Sequence, residues 1–121
     1  MIYEGMPVQA FSTLTELHEW LVDNHAEHAG VWVRLRRAGS QVPSATFTDL
    51  LEEGLCFGWS ESTRHPWDDD SYLQRFTPRR TRGTTSERNR RLAVALVEQG
   101  RMTPAGLAGL NIRPASTNLS G

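Results

Sequence analysis

In the segment TLTELHEWLVDNH, Leu14, Leu17, His18 and Leu21 fall at i, i+3, i+4 and i+7, one stripe of an amphipathic helix. Thr13 precedes the stripe and Glu16 follows three residues later, the spacing of a capping box. Past Gly30, GVWVRLRR alternates Val31, Val33 and Leu35 with Trp32, Arg34 and Arg36, which predicts a half-buried strand. Turn chemistry in AGSQVPS leads to Thr46 and Asp49, a weaker cap. Phe47, Leu50, Leu51, Gly54 and Leu55 share a face behind it, so a second helix is expected to about Cys56. Gly58 breaks that helix and Trp59 starts an extended stretch. RHPWDDD reads as a turn or loop, because Pro66 has no N–H for a ladder and Asp68, Asp69 and Asp70 favour solvent.

SYLQRFTP alternates again, with Tyr72, Gln74 and Phe76 opposed to Leu73, Arg75 and Thr77, and Pro78 closes this strand. A basic loop, RRTRGTT, leads to a Thr84–Glu87 cap and a third helix whose apolar face is Asn89, Leu92, Ala93 and Leu96. Gly100 is placed to end it. Thr103 and Pro104 have the character of the N-cap and first residue of a last short helix. Another short strand is expected at residues 6–11. The expected fold is α+β, a small antiparallel sheet of three to four strands packed with about four helices. It forms a single domain over residues 1–110, followed by a polar, frayed tail at 111–121.

A length of 121 residues leaves room for one core, and 38% hydrophobic with 22% charged residues fits a globular chain. No apolar run approaches the roughly 18 residues of a membrane span, and MIYEGMPVQAF lacks the features of a signal peptide. A cytosolic chain is therefore expected, in keeping with its single Cys. Net charge is −1, yet residues 1–70 carry 4 Arg against 12 Asp and Glu, and residues 71–121 carry 9 Arg against 2 Glu. Either the halves attract one another within the fold or the basic part meets an anion.

Among candidate chemical groups, Cys56 with His65 has the makings of a nucleophile and base. Its place at the end of an apolar helix predicts a buried structural thiol instead. His25, Glu27 and His28 lack the second cluster that a zinc site needs, so surface or capping histidines are expected. No metal, cofactor or catalytic residue is assigned. The segment 75–91 holds Arg75, Arg79, Arg80, Arg82, Arg88, Arg90 and Arg91 against Glu87 alone, several of them flanking a helix amino terminus. Such a cluster suits structural pairing, a small anion, or nucleic acid with Trp59 or Trp67 as a stacking platform. Asn89 is expected to point inward, tying the TPRR segment to the third helix or meeting a ligand beside Arg79.

HEWLVDNHAEHAGVWVRL, DLLEEGLCFGW, FTPRR, SERN and EQGRMTPAGL, in this order from Phe11 to Leu110, resemble the YdeI or OmpD-associated family, also labelled bacteriocin-protection proteins. The resemblance implies a small bacterial α+β protein with no established enzymatic activity. The family pattern has Ile-Asp after Gly-Trp, where this chain has Ser60 and Glu61, and Trp where it has Thr85. These departures imply a reshaped pocket. Trp59, Arg79 and Asn89, with Glu61 and Arg80, are the expected lining of a site for a small polar, aromatic or anionic ligand. An anionic partner or nucleic acid on the Arg-rich segment is the competing expectation. An enzyme using Glu61 and His65 as acid and base is the third.

Overall fold

The computed structural model describes residues 1–79 and 86–110. A hairpin opens the chain, with β1 (Ile2–Tyr3) antiparallel to β2 (Met6–Ala10). Its turn residues Glu4 and Gly5 both have positive φ, 46° and 82°, the combination that matches the twist of paired strands. The helix α1 (Leu14–Asn24) then carries the chain to β3 (Val31–Arg36), which lies parallel to β2. There follow α2 (Phe47–Phe57), β4 (Trp59–Asp68), β5 (Ser71–Pro78), α3 (Glu87–Glu98) and α4 (Pro104–Gly109). The sheet order is β1-β2-β3-β5-β4.

This α+β fold has the four expected helices, but the sheet has five strands and is mixed rather than antiparallel. The cause is topological. A helix between β2 and β3 returns the chain in its original direction, and only a parallel pair results from such a crossover. The RHPWDDD segment also differs from its expected loop, since β4 continues through Pro66 to Asp68 with register irregularities at Glu61/Arg64 and Pro66/Asp68. As the outermost strand, β4 tolerates a residue without an N–H and accommodates bulges. Asp68 and Asp70 face cross-strand partners, Arg34 Nη2 at 2.7 Å and Arg36 Nη1 at 3.1 Å. Hydrogen bonds from the Ser71 hydroxyl and the Asp70 backbone N–H hold the Asp68 carboxyl below the usual range.

Caps account for the helix boundaries. The Thr13 hydroxyl accepts from the Glu16 N–H, Thr46 and Asp49 satisfy one another reciprocally, and Thr103 accepts from the Gly106 N–H. On α3 the N-cap is Ser86, which accepts from the Asn89 N–H; Thr84 lies outside the described residues. The helix ends in a Schellman turn at Gly100 (φ 74°), with Gly100 N–H on the Val97 carbonyl and Arg101 N–H on that of Leu96.

Val31, Val33, Leu35, Tyr72 and Phe76 meet Leu17, Leu21, Leu50, Leu55, Ala93 and Leu96 of the helices in the main core. On the opposite sheet face, buried Trp32 and Leu73 lie under an aromatic group that the alternation did not predict. Tyr3 stacks on His65 at 4.8 Å and meets Trp32 and Trp67 edge-on, with its hydroxyl 3.0 Å from His65 Nε2. The two outermost strands thus share one cluster across the sheet.

Candidate functional site

Gly54, Leu50 and Phe57 make the inward stripe of α2, and the same spacing places Glu53 among them, only 3% exposed. A buried carboxylate is costly unless its oxygens accept hydrogen bonds. Two side chains supply them: His18 Nδ1 lies 2.8 Å from Glu53 Oε1, and Arg101 Nη2 donates to Oε2 at 3.1 Å. His18 reaches it from the margin of the α1 stripe. Arg101 is turned toward α2 by the chain reversal at Gly100 and also donates through Nη1 to Glu52 at 3.0 Å. Burial works against the charge on Arg101, but the bonds to Glu53 and Glu52 prevail and hold its guanidinium above the ordinary range.

This network forms the polar floor of a groove of about 550 Å³ between α1, α2 and the segment joining α3 to α4. Leu14, Val22, Phe57 and Met102 make its apolar walls, with Thr15 and Thr103 at the margins. The His18 ring stands edge-on to Phe57 at 5.5 Å and its side chain is 49% exposed. Because the Glu53 carboxylate accepts, Nδ1 carries a proton. Nε2 is thereby left on the side of the ring turned away from Glu53.

None of these groove residues was among those expected from the sequence. A signal was present, since a glutamate inside an apolar stripe requires a partner, and His18 had already fallen on the inward stripe of its own helix.

Among the expected residues, Trp59 and Arg79 do come together. Both line a smaller recess of about 230 Å³, with Gly58, Phe57 and Gly109. Trp59 is nevertheless a core residue, 1% exposed, wedged against Phe76 and Trp20 with its indole N–H on the His25 carbonyl at 3.2 Å. It has little area to offer a ligand. Arg79 anchors its backbone N–H on the Gly58 carbonyl at 2.8 Å. Burial pulls its guanidinium below the usual range, and the charge of Glu61 acts against that shift. Asn89 occupies the first turn of α3, half-buried, and does not line the recess. Arg80, Arg82 and Thr85 lie outside the described residues.

The remaining sequence candidates separate. Pairing opposite Phe76 and Leu73 sends Glu61 and His65 to opposite faces of β4, so they form no acid–base couple. Cys56 is buried in the core while His65 is engaged with Tyr3. Burial, reinforced by the negative charge of Glu53, pushes the Cys56 thiol up to about 11. Ellman's reagent at about pH 8 is therefore expected to leave the folded protein essentially unmodified, and to titrate one thiol per chain in denaturant. Rapid stoichiometric reaction of the native protein would contradict the buried placement. His25 Nδ1 lies 2.8 Å from the Leu21 carbonyl and His28 Nδ1 accepts from the Gly30 N–H, so both satisfy local backbone. Arg75 points to the sheet face opposite the helices, across from Trp32, whereas Arg88, Arg90 and Arg91 stand exposed on α3. These described arginines of the basic run are thus divided between two sides of the molecule.

Among the described residues no group of three or more His, Cys, Asp or Glu side chains is arranged to hold a metal, and no helix is long and apolar enough to cross a membrane. No curated protein and no solved structure matches the chain. A family model for a domain of unknown function, DUF8412, matches residues 9–109, which is most of the chain. The chain accordingly belongs to the DUF8412 family.

Proposed function

We propose that this protein is a non-enzymatic binder of a small molecule, and that the ligand lies in the groove between α1, α2 and Arg101. The observation that carries this reading is the placement of one buried carboxylate, Glu53, with His18 and Arg101 on its two oxygens at the floor of an otherwise apolar groove. Apolar walls with a few convergent polar groups are the usual make-up of a small-molecule site, and the volume lies within its usual range. The recess beside Trp59 and Arg79 is the competing location. It is less than half as large, and its Trp59 ring is held in the core.

In the biological setting implied by the YdeI or OmpD-associated resemblance, a cytosolic protein of this kind serves bacteriocin or antibiotic tolerance by sequestration. Nucleic acid or another anionic partner on the Arg-rich segment has less support, because the described arginines there do not share one surface.

Val22 separates these readings. It is 54% exposed on the groove wall, so Val22→Trp fills the groove without disturbing the core. In a thermal-shift and calorimetric screen of natural products and metabolites, hits on the wild type are expected to weaken at least tenfold in Val22→Trp and to persist in Arg79→Ala. Equal responses of wild type and Val22→Trp throughout would refute the groove as the site.

A further inference from the structure

We propose, building on the groove reading above, that the ligand is a protonated amine carrying an apolar body, its ammonium group donating to His18 Nε2. Three observations point the same way. First, the polar floor has an uneven charge: Arg101 is shared between Glu52 and Glu53, so with His18 neutral the network carries one negative charge in excess. Outside the groove lining, α1 also carries Glu16, Glu19 and Asp23 and no Lys or Arg, which adds to the negative field around it.

Second, the hydrogen-bonding capacity is that of an acceptor. Nδ1 of His18 is committed to Glu53, and His18 lines the groove; in the neutral imidazole the remaining nitrogen, Nε2, is a lone pair that receives a donor and repels a carboxylate. Arg101, the one guanidinium among the described lining residues, does not offset this. Its Nη1 donates to Glu52 and Gln99 and its Nη2 to Glu53, so its charge and three of its five N–H groups are engaged by the protein's own acceptors. Third, the Phe57 ring lies beside His18 in the groove lining. It is only 4% exposed, so Val22, Leu14 and Met102 provide the apolar surface for the body of the ligand.

The test uses three probes of one shape and different charge: 2-phenylethylamine, 2-phenylethanol and 3-phenylpropionate. Each is titrated into the labelled full chain at about pH 8 and followed by backbone and methyl chemical shifts. The amine is expected to shift Val22, Phe57 and Met102 and to bind about tenfold or more tightly than the alcohol, with the carboxylate weakest. His18→Asn retains a side-chain N–H for Glu53 but removes the Nε2 acceptor. It is expected to fold, as judged by an unchanged core spectrum, and to lose the preference for the amine.

Groove binding of the alcohol or carboxylate as tight as that of the amine would overturn the ligand class while leaving the groove as a site. An amine preference undiminished in His18→Asn would overturn the role of Nε2. Shifts from none of the three probes at millimolar concentration would overturn the amine proposal, and the Val22→Trp screen then decides the groove reading separately.

Discussion

Replacing Glu53 with alanine is expected to destabilise the protein by about 3 kcal/mol. The substitution removes the acceptor of both His18 Nδ1 and Arg101 Nη2 and opens a void between α1 and α2. Part of the cost is softened because Arg101 keeps Glu52 and is about one third exposed. Glu53→Gln preserves the shape and one accepting oxygen, so a smaller loss of about 1–2 kcal/mol is expected. Equilibrium denaturant unfolding of the three proteins checks the order. If Glu53→Ala were as stable as the wild type, the carboxylate would not be the tie between α1, α2 and Arg101 that the groove requires.

A comparable loss, about 3 kcal/mol or more, is expected from Gly106→Ala. A Cβ there would fall on the Cys56 carbonyl oxygen and lie 2.5 Å from that of Leu55, and backbone atoms inside α2 have no rotamer by which to withdraw. The helix α4 would have to lift from α2. That movement reaches the groove, because Thr103 fixes the Met102 wall by donating its N–H to the Cys56 carbonyl at 3.1 Å. Ala108→Ser, at an exposed position of the same helix, is expected to stay within about 0.5 kcal/mol of the wild type. Thermal unfolding compares the two directly, and a Gly106→Ala protein that melts with the Ala108→Ser control would show that the α2–α4 contact is looser than described.

Local signals along the chain were strong where one element determined its own ends. Thr13, Thr46, Gly100 and Thr103 marked helix boundaries that their own hydrogen bonds explain. The alternation of Val31, Val33 and Leu35 identified a strand and the face it buries. What periodicity does not carry is partnership between elements. Nothing within Met6–Ala10 says that it pairs parallel to β3, and nothing in RHPWD says that it forms a sheet edge, where Pro66 is tolerated. The same limit applies to the site. Trp59 attracted attention as a large aromatic beside a glycine, but β5 and α1 enclose it on both sides. Glu53 drew none, as one of two adjacent glutamates, although its position in the apolar stripe distinguished it from Glu52. The groove is made by three segments far apart in the chain, α1, α2 and Arg101, and their meeting belongs to the tertiary fold alone.

The central claim is that the groove over Glu53, and not the recess beside Trp59 and Arg79, receives the ligand. A chemical-shift map of the wild-type protein with any binder recovered from the screen tests it most directly. Perturbations are predicted to concentrate at Thr15, His18, Val22, Phe57 and Met102. Perturbations confined to Gly58, Arg79, Ala108 and Gly109 would contradict the account and transfer the site to the smaller recess.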